Sequence, residues 1–285
     1  MANSINHSDV YSISYGIPES HIKHTSQPYI VNTELLKLCA MGITVVAASG
    51  DDGVHGFFLS CAYDPVFPAS SPYVTSVGAT MGLESGTPEV TCQADKGGII
   101  TSGGGFSTIF PAFPQQKAAI NQYFETVSPK PVRGYNRAGR GFPDLSLAGV
   151  NYLVVVGGQL FRVAGTSASA PSVAGMITLI NAARRAAGLP TIGWLNPALY
   201  EIGGLFVNDI TIGDNSCTTW MCCLAGFNAT LGWDPATGLG SVDFDMMYFL
   251  LVNRSFPRPE GKLISDTVIN VINLKSLDCI KLFLL

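Results

Sequence analysis

Residues Val10-Tyr11-Ser12-Ile13-Ser14-Tyr15 alternate apolar and small side chains and stop at Gly16. Alternation of that period predicts a strand. A polar loop follows over 17–28. From Tyr29, the side chains of Val31, Leu35, Leu38 and Cys39 fall along one helical face, with Gly42 as the stop. Ile43-Thr44-Val45-Val46-Ala47-Ala48 is a continuous apolar run and predicts a second, buried strand. Strand, helix, strand is a βαβ unit, so the two strands lie parallel with the helix packed on them. Val74 to Ala79 predicts another strand, and 81–98 reads as an exposed excursion. Residues 107–140 are Pro-rich and aromatic, with a short helix near 115–125, and Gly141 to Asp144 turns into the core. Tyr152-Leu153-Val154-Val155-Val156 reads as a buried core strand ended by Gly157-Gly158. Val173, Met176, Ile177 and Ile180 then share one helical face. Pro171 suits the first turn, Arg184 and Arg185 the last, and Gly188 and Pro190 the stop. A short helix begins near Pro197. The class is α/β.

Composition narrows the partners. The chain has 285 residues, 47% hydrophobic and 13% charged, enough to bury one large core. A net charge of -4 gives no basic footprint for nucleic acid. No run approaches the ~18–20 apolar residues of a membrane span, and Ile280 to Leu285 is too short for one. Met1 to Tyr15 lacks the apolar stretch of a signal peptide. Seven cysteines is an odd number, so at least one is unpaired within the chain, and no Cys/His spacing predicts zinc. Cys61 and Cys92 fall in loop-like stretches, and Cys39, inside the helical pattern, is expected to be a buried free thiol. Glycosylation acceptor triplets start at Asn6, Asn228 and Asn253.

Four places carry candidate chemistry. Ser167 sits at a Gly165-Thr166-Ser167 corner before the helix. Free N–H groups there point where an oxyanion could form, but a serine needs a base, and its ordinary role before a helix is capping. Asp51 lies in the Ser49-Gly50-Asp51-Asp52-Gly53 turn at the carboxyl end of a strand. It either bonds its own backbone or faces the site as an oxyanion partner. In the second role it must be neutral, because a protonated carboxyl donates where a carboxylate repels. That requires acid pH or a raised Asp51 pKa. Ser102-Gly103-Gly104 is bare backbone, either a flexible turn or an edge on which an extended peptide could pair. Asp209 and Asp234, with neighbouring carbonyls, are either two turn residues or a Ca²⁺ cage.

Read together, six strings resemble the sedolisin (serine-carboxyl peptidase) family, on its lysosomal tripeptidyl-peptidase branch. They are Val31-Asn32-Thr33-Glu34-Leu35, Ala48-Ser49-Gly50-Asp51, Phe67 to Val74, Ser102 to Ser107, Gly165-Thr166-Ser167-Ala168-Ser169 and Gly232-Trp233-Asp234-Pro235. The resemblance covers about 10–255 and implies a subtilisin-like parallel sheet with helices on both faces, incomplete at its N-terminal side. It makes 1–255 the C-terminal part of a peptidase domain and 256–285 a tail. It implies Ser167 as nucleophile, Asp51 in the oxyanion hole and Ser102, Gly103 and Gly104 as the substrate-pairing edge. Asp209 and Asp234 would bind one Ca²⁺ with the main-chain oxygens of Ile210, Thr230 and Gly232, where Thr230 replaces the family's glycine. It also implies a Cys61–Cys217 bridge, with Cys222 or Cys223 in a second one. A propeptide and a lysosomal or extracellular address belong to the full-length form.

One departure is large. The family's Glu base and its Asp partner lie on a helix upstream of the segment matching Ser12 to Gly16, and no matching helix precedes it here. Glu19 and Glu34 have no motif around them. His55 shares a loop with Asp51, so a subtilisin-type Asp–His–Ser triad is rejected. Two functions follow. One is acid hydrolysis of peptide bonds, releasing tripeptides or cutting internally. The other is an inactive truncated product lacking the triad's Glu and Asp, with core and a sheet edge exposed. A purely structural Ca²⁺-binding domain is the third reading.

Overall fold

The computed structural model describes residues 7–55 and 61–252. The tail over 256–285 and the acceptors Asn6 and Asn253 lie outside the described residues. In chain order the elements used below are β1 (Val10–Ile13), α1 (Gln27–Ala40), β2 (Thr44–Ala48), β3 (Thr75–Met81), β4 (Val90–Thr91), β5 (Gly105–Pro111), α2 (Lys117–Thr126), β6 (Gly139–Phe142), β7 (Leu145–Ala148), β8 (Tyr152–Val156), β9 (Gln159–Val163), α3 (Thr166–Ala186), α4 (Asn196–Ile202), β10 (Val207–Asn208), β11 (Ser241–Val242) and α5 (Phe244–Val252).

A seven-stranded sheet runs β1-β2-β3-β7-β11-β10, with β4 added beside the end of β3. The first five strands on that path are parallel, in register Val10↔Thr44, Val46↔Thr75, Val77↔Leu145 and Ser146↔Ser241. Because β2 is buried on both faces, its run needs no polar positions. Val46 and Ala48 pack with Val173, Ile177 and Ile180 of α3, while Val45 and Ala47 pack with Leu35 and Leu38 of α1. Helices therefore cover both faces. Each such Val, Ile or Leu contributes about 1.5–3 kcal/mol on burial. β1 is the outermost strand, and its outer edge pairs with no described strand.

The structure departs from the sequence reading at four points. Tyr152–Val156 is not a core strand. It pairs antiparallel with β9 in a separate hairpin that stands clear of the core, with Leu153 62% and Val155 68% exposed. Gly157 and Gly158 both take positive φ, 58° and 81°, which makes a two-residue turn rather than a strand end. The core strand before α3 is instead β7. Second, 81–98 is not simply an exposed excursion: Thr91, Cys92 and Gln93 are buried. Third, α1 starts at Gln27, and Val31 faces solvent. Fourth, the bridges are Cys61–Cys223 and Cys217–Cys222, not Cys61–Cys217. The turn closed by Thr218 N–H to the Met221 carbonyl at 2.7 Å brings Cys217 and Cys222 to a Cα separation of 4.0 Å, so they join locally. Cys39 is a buried thiol whose Sγ donates to the Tyr73 carbonyl at 3.4 Å, and Cys92 is a buried free thiol whose pKa burial pushes up to about 12.

A polar knot fixes one end of the sheet. Arg140 and Asp144 are both fully buried and ion-paired. Arg140 also donates to the carbonyls of Ser71, Val74 and Gly141. Asp144 accepts from the Ser76 N–H at 2.7 Å and the Tyr200 hydroxyl at 2.8 Å. Burial raises the Asp144 pKa above its usual value, and Arg140 opposes the rise.

Candidate active site

The parallel strands deliver their carboxyl ends to one rim, where α/β sheets place their chemistry. β2 ends at Ala48 and runs into the Gly50–Gly53 turn. This turn is pinned by Thr101 N–H to the Asp51 carbonyl at 2.9 Å and Gly103 N–H to the Gly50 carbonyl at 2.8 Å. Across from it stands the head of α3. Its N-cap is Gly165, at φ 145°, with no side-chain cap bond, so Ser167 is not a capping serine. Its side chain is left for other work.

Asp51 and Ser167 meet here. Asp51 Oδ1 accepts from the Thr166 N–H at 2.7 Å and the Thr166 hydroxyl at 2.8 Å. The same hydroxyl accepts from the Gly50 N–H at 3.1 Å. Asp51 Oδ2 takes no hydrogen bond from a described residue and lies close to Gly165, where a Cβ would sit 3.0 Å from it. Only glycine allows that approach at that φ. The Ser167 carbonyl accepts from the Ser14 hydroxyl at 2.9 Å, which ties β1 to the same corner.

A cavity of about 250 Å³ opens beside these groups. Its walls include Asp51, Asp52, Thr166 and Ser167, and also Ser14, Tyr15, Gly16, Pro18 and Val66. Burial and the Asp51 charge raise the Asp52 pKa, and His55 opposes them. The sequence reading missed Ser14, Tyr15 and Gly16 as site residues. The signal was there: they follow the carboxyl end of a parallel strand, where Asp51 also lies.

Ser102, Gly103 and Gly104 are not an open edge. All three are buried. Ser102 N–H is spent on the Cys92 carbonyl and Gly103 N–H on Gly50. The Ser102 hydroxyl donates to the Ala236 carbonyl at 2.8 Å. A Cβ on Gly104 would lie 1.8 Å from the Pro235 carbonyl oxygen. The glycines permit close backbone packing behind the Asp51 turn, rather than docking of a peptide.

Glu19, Glu34 and His55 are occupied. Glu19 is fully buried and accepts from Ser107 and Thr108, Glu34 pairs with Lys37 on the surface, and His55 Nε2 meets the Ser216 carbonyl at 2.8 Å. No described carboxylate or imidazole is hydrogen-bonded to Ser167 Oγ. The subtilisin-type triad stays rejected.

The candidate Ca²⁺ residues converge on one loop. Asp234 is fully buried and accepts from the N–H groups of Thr230, Ala236 and Thr237. Asp209 accepts from the Gly232 N–H at 2.8 Å across the same loop. Burial pushes Asp234 up to about 8 and raises Asp209. A buried acid with no cation among its hydrogen-bond partners is costly to ionise. The two carboxylates are hard oxygen donors of the kind Ca²⁺ takes, and both lie at the 230–232 loop.

The family model for the subtilase family matches residues 2–194. Physarolisin of Physarum polycephalum is 36% identical over 284 residues, covering 84% of this chain and 48% of the relative. Tripeptidyl-peptidase 1 of Bos taurus is 39% identical over 253 residues, covering 86% of this chain and 43% of the relative. The chain thus spans less than half the length of these relatives. Among solved structures, Pseudomonas sedolisin, a serine-carboxyl proteinase complexed with two molecules of pseudo-iodotyrostatin, superposes at a TM-score of 0.65 with 25% identity. That match covers 85% of this chain and 64% of that one.

Proposed function

The chain belongs to the subtilase family and is sedolisin-like, and from that premise we propose that it serves hydrolysis of peptide bonds at acid pH. Ser167 Oγ attacks the scissile carbonyl. Ser167 N–H and a neutral Asp51, donating from Oδ2, hold the oxyanion. The observation that carries this reading is the Asp51 bond to the Thr166 N–H at 2.7 Å, one residue before the nucleophile on the same cavity. A carboxylate of ordinary pKa, ~4.3 for Glu, can still accept the Ser167 proton at pH 4–5, where an imidazole of ~6.5 is already protonated. One carboxylate at Ser167 Oγ, beyond those the described residues place there, is therefore part of the proposal: it takes this proton and returns it to the leaving amine. The name of the tripeptidyl-peptidase 1 relatives supports release of tripeptides, with internal cleavage as the other outcome. An acid-active chain with two disulfides suits an acidic, oxidising setting, lysosomal or extracellular, with a propeptide in the longer form. No described helix is long and apolar enough to cross a membrane.

The test is hydrolysis of an internally quenched oligopeptide from pH 3 to 8. Turnover is expected near pH 3–5 and lost toward neutrality, because a charged carboxylate facing the oxyanion would repel it. No turnover at any pH, or an optimum above pH 7, overturns the proposal. A second reading, peptide binding without turnover, rests on one observation: no described base is hydrogen-bonded to Ser167 Oγ. An intact peptide retained by the chain, with no cleavage across that pH range, selects it.

For the loop at 230–232 the proposed ligand is Ca²⁺, held by Asp209, Asp234 and the carbonyls of Ile210, Thr230 and Gly232. When bound it would supply positive charge to the buried Asp234 and brace the loop. A ligand at a hundredfold excess over its Kd stabilises by about 2.7 kcal/mol, so chelation is expected to lower Tm by roughly 5–10 °C. Added Ca²⁺ should restore it and Mg²⁺ should not. An unchanged melting curve in chelator argues against the site.

A further inference from the structure

The cavity beside Ser167 has two carboxylates in its wall, Asp51 and Asp52, and no lysine, arginine or histidine. Their situations differ. Asp51 is tied through Oδ1 to the head of α3. The Asp52 main chain is fixed, bridged to Thr101 and accepting from the His55 N–H at 3.3 Å. Its carboxyl group accepts no hydrogen bond from a described residue and forms no described ion pair. The same cavity wall holds the apolar Pro18 and Val66 and the bare backbone of Gly53, together with the uncharged polar Ser14, Tyr15 and Ser167. A half-buried carboxylate held without a partner is costly to keep charged, and a ligand that brings a cation relieves that cost. Two titratable groups face it. Asp51 and burial favour its neutral form, and His55, anchored by Nε2 to the Ser216 carbonyl, favours its charged form.

We propose that Asp52 reads the side chain of the peptide residue entering this cavity and selects a cationic one, lysine or arginine. The inference rests on the substrate-site reading above. A cavity of about 250 Å³ has room for one long side chain whose apolar stem lies along Pro18 and Val66 and whose charged end meets Asp52. The preference depends on pH with a definite sign. A carboxyl whose pKa lies above the usual value is charged only above that raised value. Selection for a cation is therefore present near neutrality and fades as pH falls. In an acidifying compartment the site would move from cationic toward uncharged side chains.

The full chain carrying Ser167→Ala, which cannot cleave, allows a direct binding test. Two dye-labelled tetrapeptides, Ala-Ala-Lys-Ala and its norleucine counterpart, are titrated by fluorescence anisotropy at about 0.15 M salt, which screens the general field of the chain. At pH 7 the lysine peptide is expected to bind at least ~10-fold more tightly. The ratio should fall below ~3-fold at pH 3.5, a change that needs no second substitution. It should fall likewise with Asp52→Asn at pH 7 and persist with Asp52→Glu. Equal binding of both peptides at pH 7 overturns the inference and leaves the substrate site standing. A preference that survives Asp52→Asn and collapses with Asp51→Asn assigns the selection to the wrong carboxylate and also overturns it. Binding of neither peptide removes the substrate-site reading and this inference together.

Discussion

Ser167→Ala is expected to lower peptide hydrolysis at acid pH by about 10³-fold or more, because the attacking atom is gone while the oxyanion donors remain. The folded state should hardly notice. Ser167 is exposed, and none of the hydrogen bonds around it uses its hydroxyl. The helix is capped by Gly165, and the bond from Ser14 goes to the Ser167 carbonyl, which alanine keeps. The melting temperature should therefore move by less than the equivalent of ~0.5 kcal/mol. Asp51 gives the informative companions. Asp51→Ala removes the oxyanion donor, at a cost of about 10²–10³ in kcat, and also strands the Thr166 N–H and hydroxyl. Asp51→Asn keeps an acceptor for Thr166 and a donor for the oxyanion at every pH. It should extend activity toward neutrality, since the amide has no proton to lose. The Ser167→Ala and Asp51→Ala pair should be little worse than Ser167→Ala alone, because the groups act on one step. Measuring kcat/KM and thermal unfolding for the set decides the matter. If Ser167→Ala keeps a tenth of the activity, another nucleophile does the work.

The part of this site that could be read in the sequence is the part set by local pattern. The 43–48 apolar run, the glycine stop at Gly42 and the helix at 166–186 each declare their element within a few residues. That Asp51 and Ser167 share a rim follows from the resemblance rather than from strand pattern, since the strand read just before Ser167 lies outside the parallel sheet. What could not be read depends on distant backbone. Tyr152–Val156 has the composition of a core strand, and only Gly157 and Gly158 in left-handed conformation turn it back on Gln159–Val163 in the open. The glycines at 103 and 104 look like free backbone. Their reason is the Gly50 and Pro235 carbonyls pressed against them, which lie far off in sequence. Asp209 and Asp234 are 25 residues apart, and only the fold shows that both grip the 230–232 loop. The bridges needed the 217–222 turn before a pairing could be chosen.

The largest loss of stability is expected at a position remote from the reaction. Arg140→Met should destabilise the fold by about 3–5 kcal/mol, the usual cost of leaving one member of a buried ion pair alone. Arg140 and Asp144 are both fully buried, and the guanidinium also satisfies the carbonyls of Ser71 and Val74. Without it, Asp144 keeps only the Ser76 N–H and the Tyr200 hydroxyl. Its pKa, already raised by burial against the pull of Arg140, must rise further. An acid whose folded pKa exceeds its unfolded value binds more protons when folded. Stability then falls as pH climbs from the unfolded pKa, ~3.9, toward the folded one. The Arg140→Met deficit should therefore be smaller at pH 4 than at pH 7, and urea midpoints at the two values measure it. Arg140→Met with Asp144→Leu, which removes both charges, should recover much of the loss, since the cost lies in the stranded carboxylate. A single substitution that shifts stability by under ~1 kcal/mol at pH 7 would mean that water or a rearranged side chain already shields Asp144, and that the pair does not hold this end of the sheet.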